Sequence, residues 1–434
     1  MTVIGIDDTD SRERGMCTTY AASRLAAEIE AAGGAVERVL LVRLNPAVEH
    51  KTRGNAALAV HADVDPERGF EIARELIAGS AEVEDPRTNP GLVVADHDPD
   101  AAPDAVAAFA RAAVRDHHEI ADAEALIERE GYESAGWKNA RGKIGALAAV
   151  GAWAAFEEWT YEHVSYRERA RRGTPRDVDL DSVFAAADER YPEAWDTVDR
   201  VEGQAVCVPR APGPILHGIR GDDPEAIRTV AAGIESEPVE SSQLFVTNQG
   251  TDAHLRDAAL GAVEDGRSYR VDGAVVEPPE TREGGHVFFA IERADGNESA
   301  GAESDADVRL DCAAFEPTKR FRDRVRALRV GDRITACGEV GDGTLKLEKF
   351  AIRDLNDAEL ATPDCPDCGR SMKSAGADQG YRCRDCGTSR DGKVERRVDR
   401  ELQEGWYEVP PCARRHVAKP LVRGGFDAPI HPER

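Results

Sequence analysis

The sequence contains no apolar run approaching 18 residues and no charged-then-apolar leader, so a helical membrane span is not expected and a cytoplasmic protein is. Cations are scarce: 56 Lys and Arg stand against 82 Asp and Glu, a formal charge of -26. Such an excess opposes compaction unless salt screens it, and we read it as adaptation to molar salt, a halophilic trait, rather than as a function. It does not exclude nucleic acid as a partner, because in concentrated salt RNA has to be held by shape, stacking and local basic patches. Cysteine is too sparse for a disulfide framework, with nine residues, an odd number, and one tight cluster. Cys17, Cys207, Cys312, Cys337 and Cys412 have no motif spacing and read as small core residues.

The densest chemistry lies in residues 5–20, GIDDTDSRERGMCTTY. An apolar run, Val3 to Ile6, reads as a buried strand ending in Asp7, Asp8 and Asp10. Carboxylates this close repel one another unless a hard divalent cation such as Mg²⁺ sits among them. Thr18 and Thr19 then open a segment, 18–32, with helical periodicity that stops at Gly33-Gly34. Hydroxyls at a helix N-terminus suit a phosphate, so strand end and helix start together form a site for Mg²⁺-nucleotide and for receiving a phosphoryl group. The alternative is an Asp-rich surface loop with an ordinary Thr cap.

Downstream, strands at 36–44, 58–64 and 92–95 alternate with helices at 67–78 and 101–130, an α/β unit spanning 1–130. The intervening loop holds Lys51 and Arg53, which would meet phosphate if the loop lies at the site and otherwise belong to a solvated loop, the favoured reading. In SAGWKNARGKIGALAAVGA, residues 134–152, Lys138, Arg141 and Lys143 stand among Gly136, Gly142 and Gly145. Glycine lets backbone N–H groups approach phosphate. It is no P-loop, since five residues separate Gly136 from Gly142 and Ile144 stands where a Mg²⁺-binding Ser or Thr is needed. Residues 131–262 read as a ferredoxin-like unit, with strands at 159–169, 205–208, 215–219 and 239–246 and helices at 180–189 and 224–232. Its Arg167, Arg169, Arg171, Arg172 and Arg176 form a basic cluster open to RNA phosphate or to neighbouring acids. It ends in the polar turn TNQGTDAHL, residues 247–255.

Five strands at 269–276, 286–292, 308–314, 333–339 and 344–352, with a helix at 318–328, follow the OB-fold plan over 266–356. The acidic stretch 295–307 reads as a functionally silent loop. Cys365, Cys368, Cys383 and Cys386 form two CxxC pairs 14 residues apart, a structural zinc ribbon over 360–395 with all four Zn²⁺ positions filled by protein. A basic tail, 396–434, carries Trp406 and Tyr407 among its cations and reads as an RNA grip.

IDDTDS…GMCTTY, the glycine-rich loop before IGALAA, TNQGTD, the OB-like strands and the zinc ribbon occur here in the order of the archaeal tRNA-isoleucine agmatinylcytidine synthetases, the TiaS family, which the chain resembles over nearly its whole length. The resemblance implies a multidomain α/β and α+β protein: a kinase-like α/β domain, a ferredoxin-like domain, an OB-fold barrel and a zinc ribbon. It implies an ATP-dependent ligase that joins agmatine to carbon 2 of the wobble cytidine in CAU-anticodon isoleucine tRNA, releasing AMP and two phosphates. Thr18 would accept phosphate from ATP, and Asp7, Asp8 and Asp10 would orient the metal-bound triphosphate. Lys138, Asn139, Arg141, Gly142 and Lys143 would contact ATP, although Lys143 departs from the apolar residue expected there. A guanidinium needs a carboxylate and amide oxygens, which places agmatine at Asn248, Gln249 and Asp252, with His254 a base or merely a helix residue. Two other readings remain: a non-enzymatic nucleic-acid-binding protein built on the OB-fold and zinc ribbon, and a small-molecule kinase in which Thr18 is structural.

Overall fold

The computed structural model describes residues 1–11, 13, 15–51, 54–293 and 308–434. Arg53 and the acidic stretch 295–307 lie outside the described residues. The first eleven strands are β1 (Thr2–Asp7), β2 (Ala35–Arg43), β3 (Ala56–Asp63), β4 (Gly91–Asp96), β5 (Glu133–Gly136), β6 (Thr160–Arg167), β7 (Ala194–Trp195), β8 (Val198–Asp199), β9 (Gln204–Ala205), β10 (Ile215–Gly221) and β11 (Val239–Thr247). All except β8 and β9, which pair with each other, form one sheet in the order β5-β4-β1-β3-β2-β11-β6-β10-β7. The seam between its halves is the parallel pair β2–β11, registered at Leu40–Val246 and Leu41–Thr247.

Both faces of the first half are covered, which is why its strands read as nearly continuous apolar runs. Ile4, Ile6, Leu41, Leu58 and Val60 pack under α1 (Thr18–Ala31) and α2 (Pro66–Ser80). Val3, Leu40, Val42, Ala57 and Val93 face the other way. They meet α3 (Asp104–Ala113), α4 (Ile120–Glu130) and α5 (Gly142–Ala155). α5 is apolar on nearly all sides and buried, as a helix enclosed by sheet and helices must be. It lies so close to β1 that a Cβ on Gly5 would fall 2.1 Å from the Ala146 carbonyl oxygen. The second half carries α7 (Pro224–Gly233) over β6 and β10, with α6 (Leu180–Glu189) packed beside α7.

Two expectations change here. The continuous helix over 101–130 is two helices, α3 and α4, because the intervening residues are held by tertiary contacts: Arg115 Nε donates to Ala253 O at 2.7 Å, and Asp116 pairs with Arg256 and Arg267. The strand expected at 205–208 is reduced to β9, outside the large sheet; Pro209, Pro212 and Pro214 lack the N–H groups a ladder needs.

Strands β12 (Leu255–Asp257), β13 (Arg267–Thr281), β14 (Val287–Glu292), β15 (Arg309–Ala314), β16 (Arg333–Gly341) and β17 (Thr344–Asp354) build the next body. β13 pairs β14, β14 pairs β15, β15 pairs β17 in parallel, and β16 pairs both β17 and β13, closing a ring. Its interior holds Val271, Phe289, Ile291, Ile334 and Phe350, plugged by Phe321 of α8 (Phe321–Arg326). The small pairings β18 (Ala358–Ala361) with β22 (Val394–Arg397), and β20 (Tyr381–Arg382) with β19 (Lys373–Ser374) on one side and β21 (Ser389–Arg390) on the other, make the cysteine-bearing unit.

The stretch expected as an RNA-gripping tail instead returns to the body. β23 (Gly405–Glu408) pairs β17, and β24 (Ile430–His431) pairs β23. Trp406 and Tyr407 are buried, so they are not free to stack on bases. Lys419 and Arg423 pair with Glu158 at 3.2 and 3.0 Å. The basic cluster of 167–176 is largely spent in the same way: Arg167 is buried against Glu237 at 2.7 Å, Arg172 meets Glu240 at 3.0 Å and Arg176 caps the Ile215 carbonyl. Side chains that pair with acids of their own fold hold the chain together rather than a polyanion.

Candidate active site

A cavity of 510 Å³ runs along the sheet edge where β1, β2 and β10 end and β3 and β6 begin. Period-two alternation puts Leu41 with Arg43, Glu162 with Val164, and Gly218 with Arg220 on its lining side. Asp7, Asp8, Asp10, Thr18 and Thr19 line one end. Four strand spacings, about 19 Å, separate β1 from β6.

At the acidic end Asp8 adopts a left-handed conformation, φ 57°, which Asp tolerates better than most residues. Its N–H donates to Asp7 Oδ1 at 2.7 Å, and its own Oδ2 accepts the Asn89 N–H at 2.8 Å. Burial, reinforced by the charges of Asp8 and Asp10, pushes the Asp7 carboxyl well above its usual range. A counter-cation reverses that penalty, so this end fits Mg²⁺. Thr18 Oγ1 accepts from the Thr9 hydroxyl at 3.1 Å, in the first turn of α1. Opposite it, the first turn of α5 approaches so closely that a Cβ on Gly145 would stand 2.0 Å from Asp7 Oδ2. Asp7 therefore lies against the first turn of α5, while the first turn of α1 lines the same cavity.

The glycine-rich loop divides. Arg141 and Gly142 line the cavity. Lys138 does not; its Nζ donates to the carbonyls of Asp85 and Thr88 at 2.6 and 2.9 Å, stapling the loop to its neighbour. Asn139 Oδ1 accepts the Arg141 N–H at 3.0 Å, and Lys143 pairs with Glu124 at 2.9 Å. These three shape the loop rather than face the cavity.

The TNQGTD turn lies behind the wall. Asn248 grips Arg43 through both backbone groups, at 2.7 and 3.0 Å, extending the β2–β11 seam by a side chain. Gln249 bridges Arg43, at 3.3 Å, and Glu162. Asp252 binds Lys349 Nζ at 2.7 Å and the Lys419 N–H at 2.6 Å. His254 meets Glu348 at 2.9 Å, fully buried. None of these four, expected at agmatine, lines the cavity, and each has a protein partner.

Residues 3–65 match the TiaS TCKD domain, 140–254 the TiaS FLD domain and 362–402 the TiaS C-terminal zinc ribbon domain. The chain is 58% identical to the isoleucine-tRNA 2-agmatinylcytidine synthetase TiaS of Haloquadratum walsbyi, over 100% of both chains. The chain belongs to the TiaS family. A TiaS of Methanosarcina acetivorans is 46% identical, again over 100% of both chains. Among solved structures, a complex of TiaS with isoleucine tRNA and ATP superposes with a TM-score of 0.88 at 40% identity, covering 100% of this chain and 99% of that one. A complex of TiaS with isoleucine tRNA, AMPCPP and agmatine gives 0.86 at 38% identity, with the same coverage.

In this TiaS-family chain the four predicted cysteines converge: the sulfurs of Cys365, Cys368, Cys383 and Cys386 all lie within 4.8 Å of one another. Cys368 and Cys383 stand 3.6 Å apart, the edge length of a tetrahedron of thiolates around Zn²⁺. Sequence reasoning missed the far end of the cavity, where Arg43, Glu162, Arg220, Cys207 and His416 gather. Glu162 carried a faint signal, a carboxylate in register with the buried Val164 and Tyr166. Arg220 lies only 4.0 and 3.9 Å from Glu162 and Asp196. Burial, partly offset by Glu162 and deepened by Arg220, lowers the Arg43 pKa. No helix among the described residues is long and apolar enough to cross a membrane.

Proposed function

We propose that the protein is an ATP-dependent ligase that joins agmatine to carbon 2 of the wobble cytidine of CAU-anticodon isoleucine tRNA. The observation that carries this reading is full-length similarity to a relative solved with isoleucine tRNA, AMPCPP and agmatine, on a chain whose cavity brings acids and hydroxyls together at one edge. The carbon 2 oxygen is a poor leaving group until phosphorylated; once phosphorylated it departs as phosphate when the amine attacks. Release of AMP and two phosphates then accounts for the whole triphosphate. Asp7, Asp8 and Asp10 hold the Mg²⁺-bound triphosphate, Thr18 receives a phosphoryl group, and Arg141 with the Gly142 backbone meets the nucleotide. Lys138, Asn139 and Lys143 set the loop's shape. Asn248, Gln249, Asp252 and His254 act as positioning residues for Arg43 and Glu162 and for the barrel. The cytidine has to leave its stack to enter the cavity.

The unit over 1–130 reads as kinase-like, 131–262 as ferredoxin-like and 266–356, with its closed five-strand ring, as an OB-fold. Cations of the zinc ribbon at 360–395 then face tRNA, while 396–434 returns to the body. Incubating the purified protein with tRNA, ATP and agmatine at high salt, then weighing the wobble nucleoside, should show cytidine replaced by 2-agmatinylcytidine. Unchanged cytidine would sink the reading, and phosphate transferred instead to a free metabolite would favour a kinase.

A further inference from the structure

Three consecutive residues of the C-terminal segment are pinned in three directions. Arg414 is buried against Asp196 and, at 2.8 Å, Glu408. Arg415 reaches into the barrel to Glu339 and, at 3.3 Å, Glu348. His416 faces the active-site cavity and an adjoining recess of 430 Å³. Its backbone is fixed to the TNQGTD turn: the Gly250 N–H donates to His416 O at 2.8 Å, and the Asp252 N–H to Val417 O at 3.0 Å. The segment is thus held tightly on both sides of one imidazole. Yet among the described residues that ring has no hydrogen-bond partner of its own, although nearly every other polar group of the turn and of the segment is paired.

The charged groups around the ring come from every element packed on it. Arg43, Arg220 and Glu162 belong to the sheet edge, Glu49 and Lys51 to the loop after β2, and Glu339 and Arg415 to the barrel side. The residue is open to the cavity space, and the guanidinium groups of Arg43 and Arg220 lining the same cavity oppose a second positive charge on its ring. A neutral imidazole there offers a lone pair. The same two guanidinium groups disfavour an ammonium ion beside them and favour the oxyanion of a departing phosphate.

We propose that His416, delivered from beyond the zinc ribbon, is the base that takes the proton from the attacking nitrogen as the new C–N bond forms. The proposal rests on the ligase reading above. The neutral amine nitrogen donates its electron pair to carbon 2, and the C–O bond to the phosphorylated oxygen breaks with its pair leaving on phosphate. The nitrogen, positively charged after bonding, gives one proton to the free ring nitrogen of His416. A base that acts on the bonded nitrogen can do so despite a low pKa, because that N–H is far more acidic than a free alkylammonium.

The test compares wild type with His416→Gln and His416→Asn in full-length protein, measuring 2-agmatinylcytidine formation from pH 5.5 to 9, the agmatine KM, and labelling of the chain from γ-labelled ATP. We expect product formation at neutral pH to fall about 100-fold, with the agmatine KM little changed and labelling retained. The variant's pH profile should rise about tenfold per unit more steeply than that of the wild type, whose own rise follows the neutral fraction of the amine, as free hydroxide replaces the lost base. A His416→Gln protein that keeps the wild-type rate and profile overturns the proposal. So does parallel loss of labelling and product, which would make the ring a scaffold. Absence of product from wild type overturns the ligase reading itself, and the proposal with it.

Discussion

Asp7 shows what a single side chain costs the fold and contributes to the site. Its folded pKa is raised, by burial first and then by Asp8 and Asp10, so the stability of the metal-free protein is complete below the ordinary value of 3.8 and falls as pH rises through the raised one. Asp7→Asn should therefore raise the thermal midpoint at pH 7 without added magnesium, and raise it less at pH 4, while lowering ATP-dependent labelling at least ~100-fold. A variant that melts earlier at pH 7 would show that the carboxylate is not under electrostatic stress. Gly145→Ala, whose Cβ would stand 2.0 Å from Asp7 Oδ2, should destabilise by about 1–3 kcal/mol, measurable by urea unfolding, with a larger loss of labelling. At this scale the sequence was informative where the residues are close in the chain: Asp7, Asp8, Asp10 and Thr18 fall within one short motif and meet in one cavity. Glu162, Arg220 and His416 reach the same cavity from three distant segments, and no local spacing announces a meeting created by a sheet edge and a returning chain.

Among the elements, the turn after β11 is the joint between sheet and barrel, and its strength lies in the buried His254–Glu348 pair. Burial alone would raise the Glu348 pKa, but His254, Arg415 and Lys349 bring it down to about 2. A depressed carboxylate supports the fold fully above its unfolded value of 4.5 and loses that support as pH falls towards 2. His254→Leu should cost about 3 kcal/mol at pH 7 and less at pH 3, as followed by urea unfolding at the two pH values. An equal cost at both would mean that packing, not charge, is what the imidazole supplies. The barrel strands were legible because alternation marks a half-buried strand wherever it pairs. The break between α3 and α4 was not, since Asp116 leaves the helix for arginines on the barrel, a choice made by tertiary contacts rather than by propensity. TNQGTD read correctly as a polar turn after a strand, but polarity does not say whether amides face a ligand or their own backbone.

For the whole molecule, the order of units was readable while the continuity of the sheet across them was not: β2 and β11 are nearly 200 residues apart, and only two residue pairs join them. The zinc ribbon was the most local of the units, and its behaviour should be correspondingly local. Chelating Zn²⁺ should expose four thiols to a thiol reagent, leave Cys207 and Cys337, whose burial raises each to about 12, unreactive, and weaken tRNA binding while sparing labelling from ATP. Loss of labelling on chelation would instead tie the ribbon to the nucleotide end. With a formal charge of -26, the thermal midpoint should climb as KCl is raised from 0.1 M towards molar concentrations, and a flat response would refute adaptation to salt. The shared sheet also governs how the reaction chamber can change size. Asp7 and Glu162 hang from one continuous sheet, four strands apart, so the gap between them is gauged like that of a locked calliper.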